Sequence, residues 1–147
     1  MDAAPDPISE ATAVASRFIE VFNARDMQAN RDVLNYPSVM LVAGQFMTWD
    51  RPEDYSIPWD RLTESQGWHH STMDSIDVVQ AGDDKVHLAV TFSRYHEDGV
   101  KYATHHGLWV ITCVDGHWGI QCRSNFRPRR CTGAAFQDAP RHAPSGC

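Results

Sequence analysis

Ile8, Ala11, Ala15, Phe18, Ile19 and Phe22 recur at the spacing of one helix face, behind Asp6 as a candidate N-cap and Pro7 at the first helical position. This face is apolar, so the helix must pack on something. It should end at "NARD". Asp26 can cap a short second helix running through Leu34, which Tyr36-Pro37 breaks, because the residue before proline avoids the α region. "SVMLVAGQFMTW" then reads as a hairpin turning near residues 43–45. Residues 50–66 read as a third helical region interrupted at Pro58, with Trp59 and Leu62 as its apolar contacts and Gly67 as its stop.

From Met73 onward the period changes to two. Strand-like runs are separated by Asp98-Gly99 and Asp115-Gly116, dipeptides that favour tight hairpin turns, so a four-stranded meander is expected. If both turns are two-residue loops, Phe92 faces His105, Val90 faces Gly107, Leu88 faces Trp109, Trp109 faces Cys122 and Ile111 faces Ile120. One face then collects Val86, Leu88, Val90, Phe92, Trp109, Ile111, Cys113, Trp118, Ile120 and Cys122. The other carries His87, Thr91, Ser93, Thr104, His106, Thr112, Gln121 and Arg123, with only Ala89, Leu108 and Val110 apolar. The first face is core; the second is wet or a moderately polar interface.

At 147 residues, 42% hydrophobic and 22% charged, the chain suits one domain, placed at residues 1–126. Residues 127–147, rich in Pro, Gly and Ala with one aromatic, read as an irregular C-terminal tail. A formal charge of -6 with only thirteen Lys and Arg argues against a nucleic-acid partner, and "RPRR" at residues 127–130 reads as a solvated charge run. The start of the chain is acidic and has no apolar h-region, and no window approaches the roughly 20 apolar residues of a membrane span. A cytoplasmic protein with no membrane partner is expected. Cys113, Cys122, Cys131 and Cys147 include no C-x-x-C pair and read as free thiols, the first two buried on strands.

Helices first, a short hairpin among them, then a long antiparallel meander closed by "DGHWGI": this order resembles the nuclear transport factor 2-like superfamily. "FNARD" at residues 22–26, "VMLVAGQF" and "LWVITCVDGHWGIQCRSNF" carry the resemblance, which spans roughly residues 8–126. It implies an α+β fold in which a curved antiparallel sheet wraps N-terminal helices as a cone, leaving an internal pocket between the concave sheet face and the first helix. It also implies a homodimer through the convex sheet face. Members of the SnoaL-like polyketide cyclase, scytalone dehydratase and ketosteroid isomerase type carry out isomerase, dehydratase or cyclase chemistry without a cofactor. Others only bind ligands or dimerise, so both readings stand.

Candidate chemistry centres on "GWHHSTMD". Scytalone dehydratase is similar in placing a histidine just before the equivalent strand. Extrapolating the alternation of Ile76 and Val78 brings Asp74, Thr72 and His70 to one side, whereas a one-residue slip selects His69 and Asp77. A histidine there could take and return a proton near neutral pH, with Asp74 fixing its tautomer. His105 falls on the concave face, and Tyr36, near the pocket mouth in the family's architecture, could donate to a carbonyl or enolate oxygen. Trp68, Phe92, Trp109 and Trp118 would wall a site for an apolar, oxygenated small molecule, and Arg94 could meet an anionic group on it. His69-His70 and His105-His106 are adjacent pairs whose members point to opposite faces of a strand. A metal would therefore need a set such as His70, His105 and Asp74, and the expectation is no metal and no cofactor. Helix one offers Phe22-Asn23 where scytalone dehydratase has Tyr-Asp, and no tyrosine like the oxyanion donor of ketosteroid isomerase, so neither activity transfers.

Overall fold

Asp6 caps the first helix as its sequence requires: its Oδ2 accepts from the Ser9 N–H at 3.3 Å, and α1 runs Pro7–Asn23. The computed structural model describes residues 6–130. Ala11, Ala15, Phe18, Ile19, Val21 and Phe22 of α1 are buried against the sheet. Asp26 caps α2, Met27–Asp32, which stops two residues short of the expected Leu34 because Leu34 already belongs to a strand. That strand, β1 (Leu34–Val42), makes a hairpin with β2 (Gln45–Trp49) around Ala43-Gly44. Between β2 and α3 (Trp59–Gln66) the chain makes one 3-10 turn at Pro52–Asp54, and α3 ends on Gly67, whose φ of 70° is the left-handed conformation a helix stop needs.

Four long strands follow: β3 (His70–Ala81), β4 (Lys85–Tyr95), β5 (Lys101–Val114) and β6 (His117–Asn125). They form the expected antiparallel meander. The sheet order is β2-β1-β6-β5-β4-β3, and β1 joins β6 in parallel, so the hairpin extends the sheet beyond its last strand. A two-residue strand β7, Arg129–Arg130, pairs with Ala103 and Thr104 of β5, where the sequence suggested an irregular tail; residues 131–147, with Cys131, Phe136 and Cys147, lie outside the described residues. Cys113 and Cys122 are free thiols, half-buried rather than buried.

The first hairpin holds the expected register by cancellation. Its loop has three residues, 97–99, not two, but Tyr102 is an extra residue on β5, and Phe92 still faces His105, Val90 faces Gly107 and Leu88 faces Trp109. The second turn, Asp115-Gly116, has the two positive φ values, 50° and 80°, of the tight turn its sequence favours. Ile111 accordingly faces Ile120, but there the agreement stops. Gln121 is an extra residue on β6, so Trp109 faces Arg123 and not Cys122. The bulge turns Arg123 to the inner face and removes Cys122 from it.

Asn23, at the C-terminal end of α1, ties helix to sheet. Its Nδ2 donates to the Ser71 carbonyl and its Oδ1 accepts from the Ser71 N–H, both at 2.8 Å. Asn23→Ala leaves both backbone groups of a buried residue without partners and is expected to cost about 2 kcal/mol. Equilibrium urea unfolding measures this, and Asn23→Asp, which sets a carboxylate oxygen against the Ser71 carbonyl, should cost at least as much as Asn23→Ala.

Candidate functional site

Between α1 and the inner face of the sheet lies a cavity of about 290 Å³. Phe18, Ile19 and Phe22 of α1 form one wall. Met40, Met47 and Trp49 of the β1–β2 hairpin, with Tyr55 and Ile57 from the link before α3, form another; Phe92 and Trp109 form the sheet side. These residues follow from the elements. The inward positions of α1 recur every three or four residues, and those of the strands every two. Polar groups reach the cavity at few points: Ser56 and Ser71, Arg94 on β4, and Arg123 and Asn125 on β6.

Arg94 and Arg123 are differently held. Arg94 Nη1 donates to Gln66 Oε1 at 3.1 Å, an oxygen that also accepts from the Tyr102 hydroxyl, while Arg94 Nε is buried without a partner. Burial pushes the Arg94 guanidinium below its ordinary pKa. Arg123 is 5% exposed, and its guanidinium carbon lies 5.0 Å from the Phe18 ring centre, 5.6 Å from that of Tyr55 and 5.8 Å from that of Trp49. Its Nε and Nη2 have no hydrogen-bond partner. Beside it, Asn125 Oδ1 accepts from Trp109 Nε1 at 3.0 Å, fixing the indole. Gly107 makes that bond possible: a β-carbon there would sit 2.2 Å from Asn125 Oδ1.

Of the residues the sequence proposed, Phe92, Arg94 and Trp109 come together on this cavity. Trp68 stands behind it, fully buried, with its Nε1 donating to Ser71 Oγ at 3.0 Å and its ring edge-on to Phe22. His105 lies on the inner face, stacked on Phe92 at 4.7 Å with the rings parallel, and its Nε2 is buried without a partner. Burial, and then the neighbouring Arg94 and His106, pull its pKa down to about 3, so the ring is neutral.

His70 and Asp74 lie on the other side of the sheet from Arg94 and Phe92. Asp74 is an extra residue between the pairs Met73–Phe92 and Ser75–Thr91, so the alternation read from Ile76 and Val78 changes sides before it reaches His70. Ser71 and Met73 take the inward positions. Asp74 accepts from Thr72 and Ser93 hydroxyls, and His70 stacks on Tyr95 at 4.8 Å with its Nδ1 3.0 Å from that of the exposed His69. Tyr36 donates its hydroxyl to the Arg31 carbonyl at 2.9 Å, and burial followed by the nearby Tyr55 raises its pKa to about 12. Trp118 packs against the core; neither it nor Tyr36 lines the cavity. Ser71, Arg123 and Asn125 also line the cavity, and they are not among the site residues the sequence singles out. The missed signal is Gly107: a glycine inside a long strand, opposite a side chain that a tryptophan N–H could use, marks a close approach.

No protein-family model matches the chain, and no curated protein does. Solved structures do. A protein of unknown function with a cystatin-like fold from Nostoc punctiforme superposes with a TM-score of 0.69 at 12% identity, over 86% of this chain and 94% of that one. An NTF2-like protein with a cystatin-like fold from Novosphingobium aromaticivorans gives 0.65 at 14% identity, over 90% and 87%. An NTF2-like protein of unknown function from Shewanella oneidensis gives 0.62 at 11%, over 83% and 100%. The fold is nuclear transport factor 2-like. The expected α+β cone, with a curved sheet around N-terminal helices, is therefore the observed one. Likeness at these identities concerns the NTF2-like fold alone. Among the described residues no helix is long and apolar enough to cross a membrane.

Proposed function

We propose that the NTF2-like cone of this chain binds a small, mainly apolar, oxygenated molecule between α1 and the sheet, as a binding module. The observation that supports this over proton-transfer catalysis is the wall itself: aromatic and aliphatic side chains with a few polar groups, and among the described residues no His, Asp, Glu, Lys or Cys lining it. Such a wall gives affinity and orientation but holds no side chain that trades protons near neutral pH. The isomerase, dehydratase or cyclase reading rests on His70 or His105. The first stacks on Tyr95 outside the cavity, and the second is a neutral ring behind Phe92.

Calorimetric titration with 2-naphthamide, an uncharged aromatic probe, tests the binding. Saturable one-to-one binding with Kd below about 1 mM is expected, and Met47→Trp, which fills the cavity from β2, should abolish it. Binding unchanged in that variant would place the probe elsewhere and overturn the reading. The catalytic alternative makes a different demand. Once a turnover is found, His70→Ala should cut it by roughly 10²–10⁴-fold while His69→Ala spares it; that contrast would return the chain to the enzymes.

A further inference from the structure

Arg123 has everything a buried guanidinium needs except an anion. Three aromatic rings surround it, and no carboxylate pairs with it among the described residues. The rings can satisfy a guanidinium through its π contacts, but they leave its in-plane N–H donors unused. The two donors without partners, Nε and Nη2, are those on one edge of the guanidinium, the edge that grips a carboxylate with two parallel hydrogen bonds. A buried charge left in this condition is costly, and a ligand that supplies the counter-charge removes the cost. Arg94 adds a second cation to the same cavity, turned by Gln66 and with its own Nε unused. The chain as a whole is acidic, at -6, yet no acidic side chain lines this cavity.

We infer that the ligand is a small carboxylate with an apolar, ring-sized body, its carboxyl group held by the Arg123 guanidinium and its body against Phe18, Phe92 and Trp109. This rests on the cavity being a small-molecule site, and it names the chemistry that site selects. Asn125 is a positioning residue here: held by Trp109, it borders the carboxylate seat without competing for it as an anion would.

The matched probes 2-naphthoate and 2-naphthamide have the same shape and differ in charge. Titrated calorimetrically into the full chain at pH 7.5, the carboxylate should bind at least about tenfold more tightly than the amide, the scale of a charge-assisted bidentate contact. In Arg123→Gln that preference should shrink to about twofold, and in Arg123→Lys, which keeps the charge but not the two-pronged edge, only part should return. Equal affinity of the two probes for the unmodified chain would overturn the carboxylate seat and leave the small-molecule reading standing. Failure of both probes to bind at millimolar concentration would overturn both. A preference that survives Arg123→Gln but is lost in Arg94→Gln would move the seat to Arg94. Thermal unfolding separates a ligand-binding arginine from a structural one. Arg123→Met should unfold no lower than the unmodified chain, because it removes an unpaired buried charge, and a large loss of thermal midpoint would assign Arg123 to holding its three rings together instead.

Discussion

Lowering the pH from 6.5 to 5 is expected to remove about 1.5 kcal/mol of folding stability through His105 alone, rising to roughly 4 kcal/mol near pH 3. The sign follows from the direction of the shift. In the fold His105 is pulled from 6.5 to about 3 by burial, with Arg94 and His106 adding repulsion, so it stays neutral where the unfolded chain would take a proton. The unfolded state therefore binds more protons throughout that window, and stability rises with pH across it. Stacking on Phe92 and an exposure of only 8% leave no room for water to carry the charge. Urea unfolding at pH 6.5, 6.0, 5.5 and 5.0 reads the slope, and His105→Gln, neutral at every pH, should flatten it by the amount assigned to His105. Parallel slopes in the two proteins would mean that His105 accepts its proton inside the fold.

The second large effect is expected at Gly119. β1 runs alongside β6 so closely there that a β-carbon would lie 2.8 Å from the Leu34 carbonyl carbon and 2.9 Å from the Asn35 nitrogen, both backbone atoms that cannot swing away. Asn35 is also the hub of the junction. Its Nδ2 donates to the Thr112 carbonyl and hydroxyl and to the His117 carbonyl, and its Oδ1 lies 2.7 Å from His117 Nδ1. Gly119→Ala must push β1 off β6 and loosen that set of bonds, at a cost of about 3 kcal/mol. Gly116→Ala is the control. Its φ of 80° is unfavourable for alanine but nothing lies within 4 Å, so it should cost only about 1 kcal/mol. Chemical unfolding of both variants tests the contrast, and equal losses would show that the close approach at Gly119 is relieved elsewhere.

How far the sequence could be read divides at the bulges. Asp6-Pro7, Gly67 and Asp115-Gly116 announce a cap, a stop and a turn because each acts on its own neighbours, and the structure has all three. The apolar inner face was legible wherever strict alternation holds, from Val86 to Phe92 and from His105 to Trp109. Asp74 and Gln121 break that rule, and nothing in "TMDSI" or "GIQCR" marks an extra residue. A bulge is decided by how a strand fits its partners across the whole sheet. One such residue hid Arg123 from the sequence reading, and the other drew His70 and Asp74 toward a cavity they do not line. The parallel joining of β1 to β6 was equally hidden, since a pairing between residues so far apart in the chain leaves no local pattern.

The bulges on β3 have a consequence for the molecule in a crowded solution. β3 is an outer strand of the sheet, and one side of such a strand is a row of amide and carbonyl groups that another chain can extend. On β3 that row is interrupted twice, at Asp74 and again at Val79, each an extra residue that bends the strand and spoils the even spacing an incoming strand must match. Val78 and Val79 are exposed there and would otherwise favour such an addition, while Asp74 and Asp77 place negative charge along the same strand. The irregularity that misdirects a reader of the sequence thus works against fibril-like growth from this edge, keeping a long, valine-bearing strand from serving as a template for its copies.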